Sequence, residues 1–165
     1  MQQIAPVFGS VIDRRAIADA LDLEASELES ELPIQMVSTG LHFVIVPIKH
    51  LRNLQLLQPN LGKADAYIKE HQIRASGSYF ITRDTGDTNI SLRARAIFLK
   101  GQDPATGAAA GCASVWTVKC RVARPEESEV ILQGVEIKRP SKLFVKPSKG
   151  GSDALNTRVG GMPYQ

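Results

Sequence analysis

The sequence predicts an α+β domain in which a curled, mostly antiparallel sheet closes around one central helix. From Gly77 onward apolar residues recur with a period of two, the mark of strands. Between two such stretches, a helix predicted over residues 104–118 carries small side chains on every face. Its body, Gly107-Ala108-Ala109-Ala110-Gly111-Cys112-Ala113-Ser114, suits a helix enclosed on all sides at close range. Each glycine weakens that helix by about 1 kcal/mol relative to Ala, so close packing has to compensate.

The elements follow in order. Residues 10–22 read as a short amphipathic helix with Ala16, Ile17, Ala20 and Leu21 on one face. A strand is predicted at 34–38, then a turn at Thr39-Gly40. The continuous apolar run Phe43-Val44-Ile45-Val46-Pro47 fits a strand buried on both faces. Leu51, Leu54 and Leu57 mark a brief helix that Pro59 closes. Asn60 caps another helix through about His71, with Leu61, Ala64 and Ile68 on its apolar face. Ser78–Thr82 reads as a strand and 83–87 as a polar turn. In 90–96, Ile90, Leu92, Ala94 and Ala96 point inward while Ser91, Arg93 and Arg95 point outward. Strands are predicted near 130–138, 142–147 and 153–160. No repeat or low-complexity linker interrupts the chain, and residues 1–165 read as a single domain.

Composition narrows the function. A 5% aromatic share argues against stacking platforms for single-stranded nucleic acid. A net charge of +3 is too mild to imply a polyanion partner. No apolar run approaches the roughly 20 residues a membrane helix needs, and no signal peptide is readable at the N-terminus. A cytoplasmic protein is expected, without nucleic-acid or membrane partners. Cys112 and Cys120, if both helical, stand about 12 Å apart along the axis, which excludes a disulfide between them. His42, His50 and His71 are scattered, and none pairs with cysteine at a zinc spacing, so no metal site is expected. Core packing is the expected role of Cys112.

The chemistry concentrates in Asp103-Pro104-Ala105-Thr106-Gly107-Ala108-Ala109. Asp at N-cap, Pro at N1 and Thr at N3 predict a helix start. A helix N-terminus offers unpaired N–H groups and a positive dipole end to an anion. Gly107 lets a ligand approach the backbone without a Cβ in the way. Alternatively Asp103 simply caps the helix. Ser38 and Thr39 could offer hydroxyls at a strand end, or bond to their own turn. The basic run Lys138, Arg139, Lys142, Lys146, Lys149 reads as a solvated strand face, with Arg139 able to pair with Glu136.

This segment resembles the Asp-Pro-Ala-Thr-Gly-Ser-Ala signature of PhzF-like (phenazine-biosynthesis) proteins. Val37-Ser38-Thr39-Gly40-Leu41, Leu92-Arg93-Ala94-Arg95-Ala96-Ile97-Phe98, Gln133-Gly134-Val135-Glu136-Ile137-Lys138-Arg139-Pro140-Ser141 and Val159-Gly160-Gly161 match further family segments in order. The similarity covers nearly the whole chain, as the carboxyl-terminal lobe of that family. The resemblance implies a diaminopimelate-epimerase-like fold of two lobes, each a curled sheet around a helix, with the active cleft between them. It implies isomerase-type proton transfer on a small carboxylate without a cofactor. Asp103 would then orient the substrate or relay protons, and the amides of Thr106, Gly107 and Ala108 would hold its carboxylate. Ser38 and Thr39 are kept as further candidate substrate contacts on the strength of their own hydroxyls at the strand end. Two departures stand out. Ala108 replaces the family's serine, and the family's catalytic glutamate belongs to the amino-terminal lobe. Glu126 and Glu127 do not replace it, since they adjoin Pro125 in a surface loop. The expected partner is a second copy, as in a homodimer, or a separate amino-terminal lobe; otherwise the domain is a non-catalytic anion-binding module.

Overall fold

The computed structural model describes residues 3–150 and 155–163. Its strands are β1 (Val7–Ile12), β2 (Ile34–Ser38), β3 (His42–Pro47), β4 (Gly77–Thr82), β5 (Leu92–Phe98), β6 (Gly101–Asp103), β7 (Glu129–Gln133), β8 (Ser141–Lys149) and β9 (Leu155–Pro163). Its helices are α1 (Arg14–Leu21), α2 (Leu51–Leu56), α3 (Leu61–Glu70) and α4 (Gly107–Lys119). The strands form one curled sheet in the order β1-β2-β3-β4-β5-β7-β8-β9, with β6 on β5. Neighbours are antiparallel except β3–β4 and β5–β7. The N-terminal segment reaches toward the far edge: the Gln3 N–H donates to the Thr157 carbonyl of β9 at 3.1 Å.

β3 shows why its apolar run is unbroken. Phe43 and Ile45 face the core around α4. Val44 and Val46 face a second core, where Ile17 and Leu21 of α1, Leu54 of α2 and Ala64 of α3 cover the outer side of the sheet. Both faces of the strand are dry, so no alternation survives.

α4 runs through the curl. Ala109, Ala110, Cys112, Ala113, Val115 and Trp116 have no exposed surface. The small residues are required by distance. A Cβ on Gly111 would lie 1.9 Å from the Gln3 Oε1. The two cysteines are free, as the helical spacing requires.

Several local expectations are corrected. Residues 10–12 belong to β1, and Asp13 is the N-cap of α1, accepting from the Ala16 N–H at 2.9 Å. α4 begins at Gly107 with Thr106 as its N-cap, so Asp103 is not the helix cap; it ends β6, paired in register with Ala96. β7 stops at Gln133, because Gly134 takes φ 82° and a 3-10 turn follows at Val135–Ile137. Arg93 faces away from the inner core as predicted but is buried, its guanidinium paired with Glu136 at 2.5 Å. Arg139 is therefore not the partner of Glu136. The sequence places the start of the last strand at 153; residues 153–154 lie outside the described residues.

Candidate functional site

β5 sets the geometry. β6 and β7 share one of its edges: Ala96 pairs with Asp103, and Ala94 pairs with Gln133. Two strand ends from distant parts of the chain thus meet beside the start of α4. Pro104 favours an extended residue before it, which keeps Asp103 in the strand and postpones the helix.

Gln133, fully buried, organises the turn between β6 and α4. Its Nε2 donates to the Asp103 carbonyl at 2.8 Å and to the Thr106 Oγ1 at 2.9 Å. Its Oε1 accepts from the Tyr79 hydroxyl at 2.9 Å and the Thr106 N–H at 3.3 Å. The Thr106 hydroxyl, already accepting from Gln133, directs its proton to the Asp103 Oδ2 at 2.8 Å. The other carboxylate oxygen accepts from the Ala105 N–H at 3.2 Å. Burial pushes the Tyr79 phenol up, and the nearby Asp103 charge adds to the effect. Tyr79 is therefore a fixed hydrogen-bond donor.

Beyond that turn the helix follows its own pattern. The Ala110 N–H is the first to bond back, to the Thr106 carbonyl at 2.9 Å. The amides of Gly107, Ala108 and Ala109 precede the first intrahelical bond and have no helical acceptor. Gly107 and Ala108 are half-buried, whereas Ala109 is fully buried. Of the three amides the sequence offered to an anion, that of Thr106 is occupied by Gln133, which leaves those of Gly107 and Ala108 half-buried and without a helical acceptor.

Ser38 and Thr39 stand elsewhere, beside the second turn of α4. The Ser38 Oγ accepts from the Gly40 N–H at 3.2 Å, the turn-stabilising role. The Thr39 hydroxyl donates to the Gln3 Oε1 and lies 3.5 Å from the Cys112 Sγ. Gln3 in turn donates from Nε2 to the Gly107 carbonyl at 3.0 Å. Thr39 thereby reaches the helix start through Gln3 rather than by facing it. Burial pushes the Cys112 thiol up, against a lowering hydrogen bond from Thr39, which suits packing and not nucleophilic work.

Four contributors went unassigned in the sequence: Gln133, Gly134, Tyr79 and Gln3. Gln133-Gly134 lay within a segment already singled out, but nothing local gave its role. At Gly134 a Cβ would meet the Arg139 carbonyl at 2.3 Å and the Pro104 carbonyl at 2.8 Å. That glycine lets the two motifs touch.

Residues 1–162 match the family described as phenazine biosynthesis-like protein (PhzC-PhzF). An uncharacterized isomerase of Clostridium acetobutylicum is 35% identical over 123 residues, covering 70% of this chain and 40% of that protein. A PhzF-family phenazine biosynthesis protein of Bacillus anthracis superposes with a TM-score of 0.86 at 26% identity, covering 100% of this chain and 58% of that one. A predicted epimerase of Pseudomonas aeruginosa gives a TM-score of 0.76 at 25% identity, covering 100% and 56%. The chain spans about half the length of these relatives. No helix among the described residues is long and apolar enough to cross a membrane.

Proposed function

The chain belongs to the phenazine biosynthesis-like protein (PhzC-PhzF) family, and from that premise we propose that it forms one lobe of an isomerase- or epimerase-type site. That site moves a proton on a small carboxylate without a cofactor. The observation that carries this reading is the turn held by Gln133. It fixes the Asp103 carboxylate beside a helix start whose Gly107 and Ala108 amides have no helical acceptor. The amides hold the substrate carboxylate through charge-assisted hydrogen bonds. Asp103, oriented by Thr106, accepts or returns the proton, or orients the group that does.

The second acid–base group comes from a facing lobe. A second copy across a twofold axis would present the same patch and set two Asp103 side chains around one cleft. Two such groups, one acting as acid and the other as base, are the minimum for proton transfer without a cofactor. A separate amino-terminal lobe would supply the group instead if the copies do not associate.

One observation favours a second reading, a binding module without catalysis. Both Asp103 oxygens already accept bonds from within the turn, from Ala105 and Thr106. The deciding experiment is deuterium incorporation from solvent into a panel of small unsaturated and α-chiral acids. Under the catalytic reading the wild type incorporates label and Asp103→Asn does not. Label that persists in the variant removes Asp103 from the mechanism. Binding without incorporation supports the module. Light scattering at micromolar concentration tests the dimer, against which a species of only about 18 kDa, the mass of one chain, would count.

A further inference from the structure

β1 is an edge strand with a bulge in it. Its pairing with β2 passes from Phe8↔Val37 to Val11↔Gln35, so Gly9 and Ser10 stand opposite the single residue Met36. The Gln35 Nε2 donates to the Gly9 carbonyl at 2.7 Å and holds the bulge in place. Gly9 also leaves room for its neighbour, since a Cβ there would lie 2.6 Å from the Met36 Cε. Between this bulge and the end of α3 lies a cavity of about 480 Å³. That volume falls within the roughly 300–1,000 Å³ of small-molecule pockets. Ile12 and Ile73 in its lining pack with the core that covers the outer side of the sheet, away from α4.

The wall facing the bulge is fixed as well. The His71 ring stacks on Tyr67 with centroids 4.0 Å apart, and its Nδ1 donates to the Tyr67 carbonyl at 2.9 Å. Gln72 takes φ 54°, and the Ile73 N–H returns to the Ile68 carbonyl at 2.9 Å. That turn brings Ile73 and Arg74 into the lining. Arg74 makes no ion pair, and no Asp or Glu lines the cavity, among the described residues. The cavity at the ends of β3 and β4 differs in this respect, setting Glu29 and Asp84 against Lys49 and Arg83. Val11 is 62% exposed and Met36 and Ile73 are only half-buried, so apolar surface stays open in the same lining as the cation.

We propose that this cavity binds a small organic acid with an apolar body. Its carboxylate pairs with the Arg74 guanidinium, whose planar fork matches two carboxylate oxygens. The body covers Val11, Met36 and Ile73, removing their apolar surface from water. Ser10 and Gln72 supply further donors in the lining. The charge of the lining decides the class of ligand: a cation over an apolar floor, with no acid, attracts an anion and repels an amine. The site stands on the outer side of the sheet and is independent of the reaction assigned to the start of α4.

The test uses benzoate as the probe, followed by NMR at neutral pH. Saturable shifts of the Met36 methyl and the His71 ring protons are expected, with one apparent Kd. Arg74→Gln, at an exposed position, should weaken that binding about tenfold or more, as loss of a charged hydrogen-bond partner does. Benzamide, with the same ring and no charge, should bind the wild type as weakly as benzoate binds the variant. A Met36 methyl that does not move, equal benzoate binding by wild type and Arg74→Gln, or benzylamine bound as tightly as benzoate would each overturn the assignment. Shifts confined to the Gly107 and Ala108 amides would overturn this site and leave the one at the helix start. Shifts at Met36 and His71 with none at those amides would support this site and count against the other.

Discussion

Gln133 holds Thr106 by both its backbone and its side chain, accepting the N–H at 3.3 Å and donating to the Oγ1 at 2.9 Å. This double hold fixes the direction of the Thr106 hydroxyl, which has only Asp103 left to serve as acceptor. The rotamer of the candidate acid–base group is thus set by a fully buried residue of another strand, β7. Gln133→Ala leaves the Tyr79 hydroxyl and the Thr106 amide without their partner in a buried setting. Each such loss costs roughly 1–3 kcal/mol. A destabilisation of about 2–4 kcal/mol in urea unfolding is expected, with weaker carboxylate binding at temperatures where the variant remains folded.

Gly134 and Gly160 give a paired prediction. Gly134 combines φ 82° with a Cβ position that would meet two carbonyl oxygens. Gly134→Ala should therefore cost the left-handed penalty of about 1–2 kcal/mol and a further steric contribution. A Cβ on Gly160 meets nothing within 4 Å. Gly160→Ala is expected to leave the midpoint of thermal unfolding almost unchanged. Equal effects of the two substitutions would contradict the close approach between the Gln133-Gly134 turn and Pro104.

Much of this arrangement was legible because it is local. The unbroken apolar run of β3 and the small-residue surface of α4 each report burial on every side, and both are buried so. The start of α4 was misread for a local reason as well. Asp-Pro-x-Thr satisfies a capping pattern, but pairing with Ala96 keeps Asp103 in β6 and the helix waits until Gly107. What could not be read is long-range. Tyr79 bonds to a residue 54 positions away, and Arg93 finds its carboxylate 43 positions away. Alternation placed Arg93 on the correct face, yet only the arrival of Glu136 makes that face buried.

The stability of the domain should fall as the pH rises from the acid side toward neutrality. The Glu129 carboxyl is raised to about 7 from 4.5, chiefly by burial. A raised carboxyl contributes stability that is fully present below its unfolded value and is lost as pH climbs through the folded one. The window is therefore about pH 4.5 to 7. The loss is at most about 3 kcal/mol, because each tenfold change in a proton affinity is worth about 1.36 kcal/mol. Glu129→Gln should flatten this part of the curve and be more stable than the wild type at mildly alkaline pH. Urea unfolding on either side of the window checks it, and a wild-type curve that rises across this window would contradict it.

The helix start offers a prediction in which fold and ligand separate. Gly107 is not held in a left-handed conformation, and a Cβ there would make an ordinary 3.7 Å contact with the Val159 Cγ1. Gly107→Ala should therefore fold, with a gain of up to about 1 kcal/mol from helix propensity. The larger Gly107→Val covers the amides that a carboxylate would approach. In a titration with small carboxylic acids, Gly107→Val is expected to lose binding while its unfolding curve stays close to that of the wild type. Ala108→Ser supplies the hydroxyl found in the family signature and adds one donor beside the same amides. It should tighten binding by about three- to tenfold, the equivalent of roughly 0.7–1.4 kcal/mol for one hydrogen bond. If Gly107→Val binds as the wild type does and Ala108→Ser has no effect, the anion is held elsewhere and the first turn of α4 is only a structural start.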